Sequence, residues 1–260
     1  MMKLLFLLVI TGVVLMPSAH AEQKTIGHLN ELVRQVGTPP CAACEANKGS
    51  KSSGRYKIPM TPRSKNDATY FNKDCTKFIK EDGTYGVWGE EIETYINKKG
   101  REDSRFLGDH IPGMSSAPFT CPNWKKLSAD DRINFWVWMI ASMAMVESTC
   151  DVKALNVGSG IPDRTDPPRG LMQLNSLKSG RSWRGPNCKF ATNGMGAIDQ
   201  IRCSMDIMEQ VLKGKTGHYK SNGMIFPTNT YWEKLRPRHS SNGGPIGKLA
   251  RRFPPCGAKE

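Results

Sequence analysis

The stretch from Ser128 to Glu147, SADDRINFWVWMIASMAMVE, decides the fold class. Ser128 with Asp131 three positions on marks a helix start, because the hydroxyl caps a free backbone N–H and the acids suit the positive end of the helix dipole. From Phe135 to Val146 only Ser142 is polar. A helix apolar on nearly every face is stable only where other elements cover it all round, and this run is too short to cross a bilayer. The chain is therefore read as a globular, mainly helical protein built around this segment. Glu147 breaks the pattern. It follows Met139 and Met143 at steps of four, so a carboxylate sits on an apolar face at the C-terminal end of the helix. Burial and the negative end of the dipole both disfavour its charge there, and an acid that keeps its proton near neutral pH can protonate a leaving group.

Working outward, the spacing predicts short helices over Tyr70 to Lys80 and Trp88 to Asn97, and a longer one over Met195 to Leu212 with Ile198, Ile201, Met205, Met208 and Leu212 inward. Two more short helical segments, Thr230 to Arg236 and Gly247 to Phe253, end at Pro237 and Pro254. Gly108 to Asn123 reads as loop, and Gly170 to Asn175 as a short strand or extended turn. Nearer the N-terminus, an amphipathic helix over Ile26 to Val36 is followed by a long loop from Cys41 to Asp67, rich in Gly, Ser, Pro and basic residues.

Met1 to Ala21 has one early cation, Lys3, an apolar run and a small-x-small site at Ala19-His20-Ala21, the pattern of a secretory signal peptide. The expected destination is the exterior or the periplasm. All 8 cysteines lie after it, so up to four disulfides are expected. Cys41-Ala-Ala-Cys44 stands on a loop after Pro39-Pro40 with no β-α-β pattern around it, which favours a structural over a redox role. No metal or cofactor is expected, since none of the 5 histidines stands at ligand spacing from the cysteines. The net charge of +13 is uneven: Lys178 to Arg252 holds fourteen Lys or Arg against four acids. A polyanionic partner follows from that surplus, and the leader together with the lack of a recognised motif sets nucleic acid aside.

Met145-Val-Glu-Ser148, then Ala154-Leu-Asn156, then Gly170-Leu-Met-Gln-Leu174 resembles the catalytic core of soluble lytic transglycosylases and goose-type lysozymes. The resemblance covers about Ser128 to Arg236. It implies an α+β, mainly helical, disulfide-stabilised lysozyme-like fold with a central buried helix and a small β element. With the leader, it divides the chain into a signal peptide (1–21), an N-terminal lobe of unassigned role (22–125) and a catalytic domain (126–260). The implied activity is cleavage of the β-1,4 bond between N-acetylmuramic acid and N-acetylglucosamine in peptidoglycan, by a monomer. Lysozymes of predatory bacteria that act on N-deacetylated peptidoglycan are a related possibility. Glu147 would be the general acid, and Ser148, Met172, Gln173 and Tyr231 would line the substrate cleft.

Three departures from the family pattern bear on mechanism. Gln200 stands where Asn is usual, and Tyr231 is followed by Trp232-Glu-Lys instead of Asn-Ala-Gly. From Glu147 to Gly170 there are 23 positions, several more than is common, and the added stretch carries Asp163 and Asp166. An inverting hydrolase needs a second carboxylate ~6.5–9.5 Å from the acid, whereas a lytic transglycosylase uses the sugar's own 6-hydroxyl. Asp163 and Asp166 are candidates for that base, and equally fit an ordinary turn before Pro167-Pro168. The rival from another class is a non-catalytic, cationic wall-binding or membrane-disrupting protein on the same scaffold.

Overall fold

The computed structural model describes residues 56–58, 70–99, 104–116, 119–158, 166–175, 182–188, 196–215, 221–236 and 244–257. The leader, the Ile26 to Val36 helix, Cys41, Cys44 and Asp163 lie outside them. Among the described residues four α-helices carry the fold: α1 (Val87–Lys98), α2 (Ala129–Ser148), α3 (Ala197–Leu212) and α4 (Gly244–Arg251). Strands β1 (Ser115–Ser116) and β2 (Phe119–Thr120) pair antiparallel, Ser115 opposite Thr120.

The cap that opens α2 is the one its sequence specifies: Ser128 Oγ accepts from Asp131 N at 3.0 Å. Of its twenty residues, the run from Arg132 to Ala144 is buried without interruption. Coverage comes from several sides. α1, α4 and the 3-10 turn Arg105–Leu107 all pack against it. Buried indoles need a partner for their N–H. Trp136 Nε1 donates to the Phe106 carbonyl at 2.7 Å, and Trp138 Nε1 to the Leu249 carbonyl at 2.8 Å, so the two largest side chains of α2 also fix its neighbours. Arg132 is buried near the start of the helix, lies over the Trp124 ring and donates to the Leu107 carbonyl and Asp109.

α3 is joined to α1 by polar contacts that its apolar periodicity does not advertise. Tyr95 donates to buried Asp206 at 2.6 Å, and Lys99 bridges buried Glu209 at 2.9 Å. Arg202 grips Glu91 with two nitrogens. Residues 52–260 make one compact unit. Three disulfides are present among the described residues: Cys75–Cys150, Cys121–Cys256 and Cys188–Cys203.

Two predicted helices are shorter than their sequences suggest. In the Tyr70 to Lys80 segment only Lys73–Lys77 winds, as a 3-10 turn, because Ile79 is drawn into a bridge with Tyr85 across a turn closed by Lys80 N to the Thr84 carbonyl. In the Thr230 to Arg236 segment only Glu233–Leu235 winds. There Trp232 stays extended and its indole donates to the Met172 carbonyl at 3.0 Å, a tertiary bond that outweighs local propensity. The β1–β2 pair lies where the sequence reads as loop; two residues per strand are too few to leave an alternating pattern.

Candidate active site

Glu147 sits one residue before the C-terminus of α2, just past the buried Met139 and Met143. It is half-buried as a residue, while its Oε1 is buried and accepts no hydrogen bond among the described residues. Burial is the main influence on its proton affinity. The Lys234 ammonium opposes it by favouring the carboxylate, the Glu233 carboxylate reinforces it, and the pKa is pushed up to about 7.

Behind Glu147 the helix ends abruptly. Thr149 N–H returns to the Met145 carbonyl and Cys150 N–H to the Ala144 carbonyl, with both residues in left-handed backbone (φ 56° and 63°). Non-glycine residues hold such a conformation only where surrounding bonds enforce it, at roughly 1–3 kcal/mol each. The Cys75–Cys150 disulfide supplies part of that enforcement three residues from the carboxylate.

The end of α2 meets the Gly170–Asn175 segment. Arg169 and Leu174 exchange backbone hydrogen bonds (2.9 and 3.0 Å), and Gln173 N–H closes the turn onto the Gly170 carbonyl at 3.2 Å. Gly170 also donates to the Ala154 carbonyl at 2.6 Å, which brings Ala154-Leu-Asn156 alongside. The turn meets α2 directly, through Ser148 Oγ to the Leu171 carbonyl at 2.8 Å. Gly170 has φ +71°, which favours glycine, and a Cβ there would displace the amide of buried Gln200.

The other candidates take distinct places. Gln173 is buried with φ 48°; its Nε2 donates to the Gly170 carbonyl at 3.0 Å, and its Oε1 accepts no hydrogen bond among the described residues. Met172 has no exposed surface, so its side chain belongs to the packing behind the turn, with its carbonyl held by Trp232. Tyr231 directs its hydroxyl at the turn, accepting from Asn175 N at 3.1 Å and donating to Asn175 Oδ1 at 3.0 Å. Asp166 is buried just before the turn. The structure thus gathers Glu147, Ser148, Gln173 and Tyr231 around the end of α2 and the Gly170–Asn175 turn.

Two further contacts at this turn involve residues the sequence did not mark. Arg184, buried on the 3-10 turn Ser182–Arg184, donates to the Asn175 carbonyl at 2.9 Å and to Asn175 Oδ1 at 2.7 Å, and its guanidinium lies 4.6 Å from the centre of the Tyr231 ring. Nothing in the local sequence separates this arginine from its many basic neighbours. Lys234 and Glu233, which adjust Glu147, come from the Thr230 to Arg236 segment, which the sequence marks only as a short helix with Tyr231 as its site residue. No group of three or more metal-binding side chains occurs among the described residues.

No protein-family model matches the chain, and no curated protein matches it in sequence. Among solved structures, wild-type Bd0314 DslA in form 2 superposes with a TM-score of 0.47 and 18% identity, covering 65% of this chain and 91% of that chain. Two mutants of DslA superpose with the same TM-score and coverage at 17% and 19% identity.

Proposed function

We propose that the protein is a peptidoglycan-cleaving glycosidase of the lysozyme or lytic transglycosylase kind, with Glu147 as its general acid. The observation that carries this reading is Glu147 itself, a carboxyl whose buried oxygen accepts no hydrogen bond among the described residues and whose pKa is raised to about 7, placed where a buried helix ends against a tight turn. A structural carboxylate would be paired or exposed. With its pKa raised to about 7 a large share of it stays protonated near neutral pH, and it donates to the glycosidic oxygen as positive charge develops on the departing sugar. The Gly170–Asn175 turn forms the opposing wall, with Gln173 and Tyr231 on the substrate side of the assignment and Ser148 holding turn and helix together. The leader and the disulfides support action outside the cytoplasm, with residues 126–260 as the catalytic part.

The test is mass spectrometry of fragments released from purified peptidoglycan, in native and chemically N-deacetylated forms, by the native protein and by Glu147→Gln. Release by the native protein alone supports the assignment. Fragments ending in 1,6-anhydro sugar identify a transglycosylase; reducing ends identify a hydrolase and make Asp163 and Asp166 the first candidates for its base. Release of equal amounts by Glu147→Gln removes Glu147 from the mechanism. The basic surplus of the C-terminal half favours one other reading, a wall-binding protein without catalysis; it predicts adhesion that falls steeply with salt and no released fragments at all.

A further inference from the structure

A second concavity is lined by none of the residues gathered around Glu147. It has a volume of about 360 Å³, within the ~300–1,000 Å³ range of small-molecule sites. Three segments meet there: the chain from Arg105 to Pro112, the C-terminal end of α3, and the Asn222-Gly223 turn. Each is pinned to the core. Phe106 takes the Trp136 indole on its carbonyl at 2.7 Å, Ile225 N–H donates to the Pro112 carbonyl at 3.1 Å, and the buried Ser221 hydroxyl donates to the Val211 carbonyl at 2.6 Å. Gly223, at φ +73°, passes so close to α3 that a Cβ there would sit 3.0 Å from the Leu212 carbonyl oxygen. The polar lining is Arg105, His110, Lys213 and Asn222, with no acid among the described lining residues. The neighbouring carboxylates are already engaged. Asp109, next to His110 in the chain, is held by Arg132 at 2.6 Å, and Glu209 takes both Lys213 at 2.7 Å and Lys99 at 2.9 Å. Two ammonium groups on one carboxylate leave a net positive charge at the end of α3. Arg105 and His110 are exposed and meet no side chain in a hydrogen bond or ion pair among the described residues.

We propose that this cavity binds a phosphate ester of a small polyol, at a site independent of the glycosidase reading. Three cation-capable side chains converging on one hollow favour an anion, and the Arg105 guanidinium presents its N–H groups in a fork that fits phosphate oxygens in pairs. A phosphate monoester carries close to two negative charges and three acceptor oxygens, enough to engage Arg105, Lys213 and an N–H of His110 together, whereas a carboxylate offers one charge and two oxygens. The rest of the cavity suits the ester's organic part. Ile111, Pro112 and Leu212 supply apolar surface for its C–H groups, and the Asn222 amide can both donate to and accept from a hydroxyl. Because the walls are fixed by core contacts, little ordering is needed on binding. The basic surplus of the C-terminal half thereby acquires a place where it reads a defined anion.

The experiment is calorimetric titration of the native protein with glycerol 3-phosphate, with glycerate as the carboxylate counterpart and inorganic phosphate as the anion without a body. The same titrations are run on Arg105→Gln, Arg105→Lys and His110→Gln, and on Lys80→Gln, which removes one exposed charge from a turn outside the cavity. The expected result is saturable one-to-one binding of glycerol 3-phosphate, weakened about ten- to a hundredfold in Arg105→Gln, less in Arg105→Lys and His110→Gln, and unchanged in Lys80→Gln. Thermal midpoints equal to that of the native protein show that the Arg105 variants are folded. No saturable binding, or equal weakening in Arg105→Gln and Lys80→Gln, overturns the site. Equal affinity for glycerate overturns the phosphate, and equal affinity for inorganic phosphate overturns the ester. Phosphatidylglycerol vesicles distinguish the source of the group. Vesicle binding that is lost in Arg105→Gln places a lipid headgroup in the cavity and supports the site; vesicle binding that survives in Arg105→Gln, with none of the soluble ester, assigns the attraction to general surface charge and overturns it.

Discussion

The hydroxyl of Ser148, the residue after Glu147, donates to the carbonyl of Leu171 at 2.8 Å, with the Ala144 carbonyl as a second acceptor at 3.0 Å. The chain position of the acid is thereby tied to the Gly170–Asn175 turn by a buried hydrogen bond, and Trp232 holds the next carbonyl of that turn, Met172. In Ser148→Ala the Leu171 carbonyl stays buried without that donor, at a cost of about 1–2 kcal/mol in urea unfolding. Because the loss falls where helix and turn meet, kcat on peptidoglycan should drop more than the stability change alone would give at a temperature where the variant is fully folded. Equal kcat in the two proteins would show that the bond serves folding only.

The pH dependence follows from the raised pKa of Glu147, about 7 against an ordinary value of 4.5. A general acid works only while protonated, so kcat should fall as pH rises through 7. Stability moves in the same direction. The folded state favours the protonated carboxyl, so its full contribution is present below pH 4.5 and is lost as pH rises toward 7, where the unfolded chain is already ionised. Glu147→Gln should therefore match the native protein at pH 4 and be more stable at pH 8 by about 1–3 kcal/mol, read from urea midpoints at both pH values. Glu233 and Lys234 adjust the same acid in opposite senses: Lys234→Met should move the alkaline limb of the kcat profile up and Glu233→Gln should move it down.

How much of this was legible in the sequence depended on the range over which each feature is determined. The cap at Ser128, the buried run of α2 and the odd placement of Glu147 are local and periodic, and the structure places them within a residue or two of the expected positions. The Gly170 turn was visible for the same reason, a short motif with a glycine whose conformation the backbone demands. What the sequence concealed is held by contacts across long separations. Tyr231 is aimed at the turn by Asn175, 56 residues away, and Trp138 is satisfied by Leu249 across 111. Arg184 is the clearest case: its value comes from the coincidence of Asn175 and Tyr231 on one guanidinium, which no spacing rule records.

The three disulfides close loops of 15, 75 and 135 residues, and they differ in their distance along the chain from Glu147. Loop-closure entropy gives about 3 kcal/mol for the shortest and roughly 4–5 kcal/mol for the longer two. Replacing each pair by serines should lower the urea midpoint in that order. Activity should divide them differently. Loss of Cys75–Cys150 frees the left-handed pair Thr149 and Cys150 immediately behind the acid, so kcat should fall sharply in protein that is still folded. Loss of Cys121–Cys256, which joins the chain just after β2 to the 3-10 turn at Pro254–Cys256, should cost stability with little change in kcat. Equal kcat in both variants would separate the helix end from the chemistry.

Gly170 and Gln200 make a coupled pair that can be tested by a double-mutant cycle. Gly170→Ala meets two obstacles, a left-handed backbone that disfavours a side chain and the Gln200 amide that occupies the space of the new methyl. Together they should cost about 2–5 kcal/mol. Gln200→Ser removes the steric part and also removes the acceptor of Met172 N at 3.4 Å, so alone it should loosen the turn and raise KM. Combined, the two substitutions should cost less than the sum of the singles, because only the backbone strain of residue 170 persists, whereas additive costs would mean that Gln200 yields to the methyl without resistance. The cycle also bears on the unusual choice of Gln at position 200. If the larger amide exists to press on Gly170 and brace the wall, Gln200→Asn should leave the fold stable and increase hydrogen exchange at Met172 and Gln173 more than at the α2 amides between Ile133 and Ala144.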